Sequence, residues 1–428
     1  DRFTDMKVPR YCVGQLVNVV GHCAGEPFNN DFFVQCRILC PADDGTYFVR
    51  VLKSDGYSIV DEDSISAYPL YDQEKPADRK RIRVVFFGNG LFALPTLKKL
   101  VEQGYDVAAV VTMEDKPCGR GNKVSPSPVK TYAESQGIIV YQPRNLDSDD
   151  FLQAIRDMNP TVGVVVEYRI LPQSLFKIPK WGVINLHSSL LPVYRGASTI
   201  TSAIKDGKGI TGVTTFLINS GLDKGKIINN LATYIGDNDS AEDIHILLRT
   251  NGAVMVDDAI QRIAHSCNGI PQSDLICDFI QPSHAPKLFR KDAYIPWCDS
   301  AYRVHNFIRA HSSVIGGQYY PKTPAIAGSV STAWTSLKMI DSDSATDVKI
   351  HKVSKTGIPR GYHAPGEWFW QDGSLMVACQ DNLLSVDILQ LPGKKRMTAK
   401  EYHNGFRGVC KGFCDISPDD KDETTSEK

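Results

Sequence analysis

The amino-acid sequence predicts an α/β protein in which a doubly wound parallel sheet lies between two smaller β-domains. Residues 10–69 alternate apolar and polar side chains in short runs, as is typical of antiparallel strands with one solvated face. Residues 82–220 carry continuous apolar runs separated by helical stretches, which is the pattern of parallel strands covered by helices on both sides. Residues 365–391 return to short strands with turns. The chain therefore changes its structural character twice.

The composition is that of a globular protein without a membrane span. The 428 residues are 42% hydrophobic, enough to fill the cores of about two to four domains. No run approaches the roughly 20 apolar residues that cross a bilayer, and the N-terminus lacks the apolar core of a secretory signal. The missing initiator Met indicates a processed or truncated start. Eleven cysteines without a CxxC pair favour reduced thiols and predict no metal site.

The first predicted domain is a small antiparallel sheet or barrel. Its runs include "QLVNVV", "FVQCRIL", "TYFVRVL" and "YSIV", and Asp55-Gly56 predicts a hairpin turn. It weakly resembles the SH3 and Tudor barrels, which bind proteins or peptides. Residues 1–80 carry 9 Lys and Arg against 13 Asp and Glu, so a polyanionic partner is disfavoured. The polar segment "LYDQEKPADRKR" follows as a linker.

The second predicted domain contains the parallel sheet. Its strands are the apolar runs "IRVVFF", "VAAVV", "VGVVVEY", "GVINL" and "GVTTFLI", and a long amphipathic helix over 240–265 closes it. Gly88 and Gly90 resemble the start of a dinucleotide-binding fingerprint. Ala93 stands where the third glycine would be, however, and no acidic residue follows "VAAVV". We therefore interpret the two glycines as turn formers.

Three polar residues of this domain form a candidate catalytic group. Asn185 and His187 stand two apart at the end of a buried strand, so their side chains point the same way into the crevice beyond the strand ends. An amide can stabilise a developing oxyanion, and an imidazole can move a proton. Asp223 follows the strand "GVTTFLI" and is expected to reach the same strand ends and orient His187. A helix cap with a structural histidine explains the first pair equally well.

The third predicted domain is basic. Residues 281–414 carry 17 Lys and Arg against 10 Asp and Glu, a balance that suits a polyanion such as nucleic acid. The tail "DISPDDKDETTSEK" is acidic and predicted to be disordered. The predicted boundaries are 1–78 for the first domain, 81–266 for the second, 267–284 for a linker, 285–412 for the third domain and 415–428 for the tail.

Several ordered motifs of the second and third domains resemble the folate-dependent formyltransferases. They are "FFGNGLFALPTL", "DKPCGRGNKVSPSPVK", "VVEYRILP", "INLHSSLLPVYRGA", "TGVTTFLINSGLDKGKII" and "LSVDILQLPGKKRMTAKEYHNGFRG". The resemblance covers about residues 82–412. It implies a Rossmann-like formyltransferase domain and a C-terminal β-barrel of the oligonucleotide-binding (OB) type, with the small N-terminal β-barrel as an addition.

The resemblance also implies a reaction. The donor would be 10-formyltetrahydrofolate, and the acceptor would be the α-amino group of methionyl initiator tRNA. Asn185 would bind the formyl oxygen, His187 would assist proton removal, and Asp223 would hold His187 in the useful tautomer. No metal is implied.

The resemblance assigns further residues to binding. The implied donor pocket consists of Glu167, Tyr168, Arg169, Ser189, Leu190, Leu191 and Pro192. The implied tRNA contacts are Arg120, Lys123, Lys394, Lys395 and Arg396. Glu167 departs from the pattern, since many members have a small residue there. A carboxylate would either add a hydrogen bond or exclude the donor.

Two other functions fit the same residues. A sugar N-formyltransferase would use the same catalytic trio on an amino sugar nucleotide, but would leave the basic third domain without a task. A non-catalytic tRNA- or ribosome-associated protein would explain Glu167 and the added first domain. We expect a monomer with a possible protein partner for residues 1–78, in the bacterial cytoplasm or alternatively in an organelle matrix.

Overall fold

A computed structural model gives the architecture of the protein. It describes residues 76–118, 123–276, 280–313, 332–342, 344–405 and 411–414, together with five short strands between residues 16 and 67. Side chains are not described for these five strands, for 116–118 or for Lys123. The chain divides into two compact units. They comprise Asp1–Gly196, Ile210–Tyr234 and Ile246–His284 in the first, and Ala197–Gly209, Ile235–His245 and Ala285–Lys428 in the second.

The five N-terminal strands form one antiparallel sheet. They are β1 Leu16–Val19, β2 Val34–Pro41, β3 Thr46–Val51, β4 Tyr57–Asp61 and β5 Ile65–Ala67. Their order is β4-β3-β2-β1-β5. The predicted antiparallel sheet is confirmed, and the antiparallel pairing of β3 with β4 confirms the hairpin. Its turn residues Asp55 and Gly56 lie outside the described residues, as does the acidic tail 415–428.

The formyltransferase-like part of the chain is built on a seven-stranded sheet. The elements are β6 Arg83–Gly88, α1 Leu94–Glu102, β7 Asp106–Val111, β8 Lys116–Cys118, β9 Lys123–Ser125, α2 Pro128–Ser135, β10 Val140–Tyr141, α3 Asp149–Asp157, β11 Val162–Val166, α4 Gln173–Phe176, β12 Val183–His187, β13 Arg195–Gly196, α5 Thr199–Lys205, β14 Ile210–Leu217, β15 Ile227–Tyr234 and α6 Ala241–Ala264. The sheet order is β10-β7-β6-β11-β12-β14-β15. The first five strands are parallel, which confirms the Rossmann-like prediction.

The direction of β14 differs from the expectation of a wholly parallel sheet. β14 pairs antiparallel with β12, and Leu217 at its end lies opposite Ile184 near the start of β12. Its carboxyl end therefore lies at the opposite edge of the sheet from the catalytic strand ends. The expectation was wrong because an apolar run reports that a strand is buried and says nothing about its direction.

Apolar packing on both faces explains why these strands form. β11 is buried at every position, and β6 is exposed only at Arg83. Helices α3 and α4 cover one face, where Phe151, Ile155 and Leu175 pack in one cluster with sheet residues. Gly and Pro residues and side-chain caps set the helix limits. Ser127, for example, accepts from the backbone N–H of Lys130, and proline follows it at the first position of α2.

A polar clip attaches the predicted linker to the sheet domain. The Arg79 guanidinium donates to both carboxylate oxygens of Asp257 on α6, at 3.1 and 3.2 Å. The Tyr105 hydroxyl donates to the same carboxylate at 2.6 Å, and Gln261 accepts from the backbone N–H of Ala77 at 2.9 Å. Residues 77–79 are thus part of the folded catalytic domain.

The second unit contains a closed β-barrel. The elements of this part of the chain are β16 His284–Ala285, which pairs with β13, and then α7 Ala301–Ala310, β17 Trp334–Met339, β18 Ala345–Pro359, β19 Glu367–Gln371, β20 Ser374–Ala378, β21 Asn382–Gln390, β22 Met397–Thr398, α8 Ala399–Gly405 and β23 Lys411–Cys414. Short 3-10 turns cover Arg79–Arg81, Gln272–Leu275 and Arg290–Ala293. The ring β18-β17-β23-β19-β20-β21 closes through pairing of β21 with β18. The predicted C-terminal barrel is confirmed, with six strands in the ring where the OB fold has five.

The barrel is filled by large apolar side chains. Trp297 and Trp368 are fully buried, and α7 contributes Val304 and Ile308 to the same core. Among the described residues, no helix combines the length and apolar character needed to cross a membrane.

Candidate active site

The strand order creates a crevice at one edge of the parallel sheet. β6 lies between β7 and β11 in the sheet. The chain leaves the carboxyl end of β6 toward β7 on one side and leaves the carboxyl end of β11 toward β12 on the other side. Ligands of such sheets bind at this switch point. A surface cavity of about 370 Å³ lined by Arg156, Pro160 and Lys177 adjoins the amino end of β11 and is a separate feature.

Asn185 and His187 lie on β12, next to this switch point. Asn185 is paired with Val165 of β11 and with Phe216 of β14. Its side chain is partly accessible, and its amide forms no hydrogen bond within the described part of the chain. The Asn185 amide is therefore available to a bound group.

His187 is buried and held in one tautomer. Its Nε2 lies 2.9 Å from the carbonyl oxygen of Tyr194, which can only accept, so the ring proton resides on Nε2. Nδ1 is then the nitrogen that can take up a proton. Burial lowers the pKa of His187, against an opposing effect of Asp223, so the imidazole is neutral near pH 7. A neutral, oriented imidazole can serve as a base.

Asp223 faces the free nitrogen of His187. Its Oδ2 lies 4.0 Å from His187 Nδ1, which is beyond hydrogen-bond distance. The same oxygen accepts from the backbone N–H of Gly196 at 2.8 Å. As expected, Asp223 reaches the strand end that carries His187, although the strand before it ends at the other edge of the sheet. The loop from 218 to 226 folds back from the other edge, with Asp223 in the left-handed region at φ 50°.

The tautomer of His187 is set by a different group from the one expected, which was Asp223. The Tyr194 carbonyl fixes it, and Asp223 stands where it would stabilise a proton arriving on Nδ1. Tyr194 itself adopts φ 57°, in the left-handed region. This contact could not be predicted from the sequence, because any residue can supply a carbonyl.

Gln272 supports Asp223 and was missed by sequence reasoning. Its Oε1 accepts from Nε and Nη2 of the buried Arg195 at 3.2 and 2.6 Å. Its Nε2 donates to the carbonyls of Asp223 and Gly225 at 2.8 and 3.0 Å. One amide thus ties the end of the loop after His187 to the loop that carries Asp223. No motif surrounds Gln272 that would have revealed this role.

Thr214 fixes the start of the loop after His187. It lies opposite His187 in the sheet and is fully buried. Its hydroxyl donates to the carbonyl of Ser189 at 2.7 Å and accepts from the N–H of Leu191 at 3.1 Å. Ser189 in turn donates to the carbonyls of Val193 and Tyr194.

The seven residues implied for the donor pocket separate into two groups. Ser189, Leu191 and Pro192 are buried, so in this structure they shape the loop and offer no surface to a ligand. The accessible members are Glu167, Tyr168, Arg169 and Leu190. The Arg169 guanidinium is occupied, because it donates to the carbonyls of residues 143 and 144 and lies over the Tyr168 ring.

Glu167 lies at the switch point itself. It follows β11 directly, in the left-handed region at φ 52°. The residue as a whole is exposed, and its Oε2 lies 2.6 Å from the position that a Cβ at residue 90 would occupy. A larger residue at position 90 would require this flexible carboxyl end to move. Burial raises its pKa to about 7.

The implied tRNA contacts are described unequally. Arg120 lies outside the described residues, and only the backbone of Lys123 is described, at the start of β9. Lys394, Lys395 and Arg396 are exposed in the connection between β21 and β22. Arg396 donates to the hydroxyl of Ser313 at 2.6 Å.

Comparison with known proteins identifies the family. The sequence signature described as "Formyl transferase" matches residues 80–259, and that described as "Formyl transferase, C-terminal domain" matches residues 287–407. This protein belongs to the formyltransferase family. In this formyltransferase the two matches include the catalytic trio and all strands of the barrel ring except β23, and residues 1–79 precede both matches.

Relatives of this formyltransferase are similar over nearly their whole length. The methionyl-tRNA formyltransferase of Porphyromonas gingivalis is 38% identical over 333 residues, 77% of this chain and 97% of that protein. The enzyme of the same name from Geobacter metallireducens is 36% identical over 332 residues, 76% of this chain and 96% of that one. The crystal structure of HypX from Aquifex aeolicus in complex with tetrahydrofolic acid has a TM-score of 0.50 at 16% identity, covering 77% of this chain and 48% of that one. The latter likeness shows the fold alone.

Proposed function

We propose that this formyltransferase transfers the formyl group of 10-formyltetrahydrofolate to the α-amino group of methionyl initiator tRNA. The observation that carries the proposal is the arrangement of a free Asn185 amide, a neutral His187 with Nδ1 open to a proton, and Asp223 at 4.0 Å from that nitrogen. The names and full-length coverage of the bacterial relatives support the acceptor.

The reaction needs positioning and charge stabilisation more than strong base. A methionyl ester amine has a pKa at or below the roughly 7.7 to 8.0 of a free α-amino group, so part of it is a neutral nucleophile near pH 7. When the amine attacks the formyl carbon, the Asn185 amide donates to the oxygen that becomes negative. His187 Nδ1 accepts the proton that the attacking nitrogen must lose, and the Asp223 carboxylate stabilises the imidazolium.

Two surfaces are proposed to hold the tRNA. The hairpin of β8 and β9, with Arg120 and Lys123, would contact the acceptor end. Lys394, Lys395 and Arg396 on the barrel would contact phosphates without reading sequence. The N-terminal sheet would bind a protein or peptide partner, and we propose a monomeric enzyme in a bacterial-type cytoplasm.

A formylation assay tests the proposal. Purified protein is incubated with 10-formyltetrahydrofolate and charged initiator tRNA, charged elongator tRNA or an amino sugar nucleotide. We expect formylation of the charged initiator tRNA with a clear preference over the elongator tRNA. Turnover of the sugar nucleotide without turnover of tRNA would assign the enzyme to sugar N-formylation instead. No turnover of any acceptor together with no binding of tetrahydrofolate would indicate a non-catalytic binding protein.

A further inference from the structure

Ser283 binds the end of the loop that follows His187. Tyr194 lies near the end of this loop, and its backbone N–H donates to the Ser283 hydroxyl oxygen at 2.9 Å. The N–H of the next residue, Arg195, donates to the Ser283 carbonyl oxygen at 2.8 Å. One serine thus accepts from two consecutive backbone groups and fixes the loop where it enters β13.

Ser283 lies in a part of the chain that neither family signature covers. The two matches end at residue 259 and begin again at residue 287. Ser283 directly precedes β16, which pairs with β13. Main-chain pairing therefore places residue 283 beside the loop, and the hydroxyl is the contact that the serine side chain adds.

Tyr194 has a backbone conformation that needs support. Its φ of 57° lies in the left-handed region, although the residue is not glycine. Such a conformation is unfavourable for a residue with a side chain and persists where the surrounding contacts hold it. The hydrogen bonds from the N–H groups of Tyr194 and Arg195 to Ser283 are two such contacts.

The conformation of Tyr194 decides where its carbonyl oxygen points. That oxygen lies 2.9 Å from His187 Nε2 and also accepts from the Ser189 hydroxyl at 3.2 Å. On the other side of the imidazole ring, Asp223 Oδ2 lies 4.0 Å from Nδ1. If the Tyr194 carbonyl turned away, the nearby carboxylate would favour the ring proton on Nδ1. Nδ1 could then no longer accept a proton from a substrate.

We propose that Ser283 is a positioning residue for the reaction, which holds the Tyr194 carbonyl on His187 Nε2 and so keeps Nδ1 open to the proton of the attacking amine. This inference rests on the proposed function. Ser283 acts through Tyr194 on His187 and not on the substrate itself. Any residue at position 283 keeps the carbonyl that Arg195 uses, whereas only a side chain with an acceptor atom keeps the bond to Tyr194.

The test compares wild-type enzyme with Ser283→Ala, which removes the acceptor, and Ser283→Thr, which keeps it. Ser135→Ala is the matched control, because the Ser135 hydroxyl is exposed and also bonds to the main chain, at 2.7 Å from the Tyr132 carbonyl oxygen. The measured quantities are the formylation rate at saturating charged initiator tRNA, KM for that tRNA and tetrahydrofolate affinity. Nitrogen NMR of protein labelled at histidine reports the tautomer of His187 without substrate, and the signals are assigned with His187→Ala.

We expect Ser283→Ala to lower the formylation rate about tenfold or more, as is typical when the group that orients a working histidine is disturbed. KM and tetrahydrofolate affinity should stay within about twofold of wild type, because the binding surfaces are unchanged. The His187 signals should show that part of the proton has moved from Nε2 to Nδ1. Ser283→Thr should react within about twofold of wild type and keep the proton on Nε2, and Ser135→Ala should match wild type throughout.

Three results would overturn the inference. They are a Ser283→Ala enzyme with the wild-type rate, a slow Ser283→Ala enzyme whose His187 proton stays on Nε2, and a folded Ser283→Thr enzyme as slow as the alanine variant. If Ser283→Ala does not fold, Ser283→Cys replaces it, because a thiol is a weaker acceptor and should shift the same proton in smaller measure. If wild-type enzyme formylates no tRNA, the proposed function fails, and the His187 signals recorded without substrate still decide the role of Ser283.

Discussion

Replacing Gln272 with leucine should damage both the stability and the activity of the enzyme. The amide makes four hydrogen bonds, two with the Arg195 guanidinium and two with the carbonyls of Asp223 and Gly225. Leucine leaves all of these buried groups without a partner. Each unsatisfied buried group costs about 1–3 kcal/mol, and partial relaxation reduces the sum, so we expect a loss of about 4 kcal/mol.

The measurement is a thermal melt combined with formylation kinetics. For a domain of this size, about 4 kcal/mol corresponds to a Tm lower by roughly 10 °C. We expect formylation to fall at least about tenfold as well, because the Asp223 loop loses its tie. Gln371→Leu is the control, since that glutamine is exposed and, within the described part of the chain, its side-chain amide donates only to the neighbouring Asp372.

A second variant separates the two effects. Gln272→Glu keeps an acceptor for Arg195 but has no N–H for the carbonyls of the Asp223 loop. It should regain at least half of the lost Tm while its formylation stays slow. A Gln272→Leu protein that melts within about 2 °C of wild type, or a Glu variant that recovers full activity, would refute the role given to Gln272.

Three other predictions concern the catalytic base, the barrel and the tRNA. His187→Ala should lower kcat about a hundredfold or more with little change in tetrahydrofolate affinity, and a near wild-type rate would contradict its role. Burial lowers the pKa of His351 to about 4, below its unfolded value of about 6.5. The unfolded chain therefore binds more protons between pH 6.5 and 4, so barrel stability in urea should fall over that window by about 2–3 kcal/mol, a loss that His351→Gln should remove. Neutralising residues 394–396 should raise KM for all charged tRNAs alike and should lower the slope of log affinity against log salt concentration by about one unit per lost contact. Arg120→Ala should instead reduce the preference for initiator tRNA over elongator tRNA. Identical behaviour of the two variants would contradict the assignment of separate roles to these residues.

The sequence predicted the architecture because burial patterns encode it. Alternating and continuous apolar runs separated the N-terminal antiparallel sheet, the parallel sheet and the barrel, and the structure confirms each of them. Direction is not encoded in that way, so the antiparallel course of β14 was missed. The same limit applied to Asp223, which lies beside His187 although the strand before it ends at the far edge.

The side chains of the candidate site were predictable, while their supports were not. Asn185, His187 and Asp223 stand in recognisable motifs. The structure places Asp223 4.0 Å from His187, and Asn185 lies two residues before His187 on the same strand. The Tyr194 carbonyl and the Gln272 amide left no trace in the sequence, because a carbonyl belongs to every residue and a single glutamine has no pattern. Glu167 was visible only as a departure from the family pattern.

The folded catalytic domain begins a few residues before the part of the sequence that is recognisable as a formyltransferase. The reason is the polar clip described above, which is formed by Ala77, Arg79, Tyr105, Asp257 and Gln261. Family similarity begins at residue 80, yet Asp257 receives its guanidinium partner from residue 79. A shortened enzyme that begins at residue 76 keeps this anchor. One that begins at residue 82 loses the cationic partner of Asp257 and leaves the carboxylate with the neutral Tyr105 hydroxyl as a hydrogen-bond donor. The segment that leads from the N-terminal sheet is therefore anchored to the catalytic domain at residues 77–79. A truncation that removes the N-terminal sheet and leaves the catalytic domain intact has to be made before residue 77.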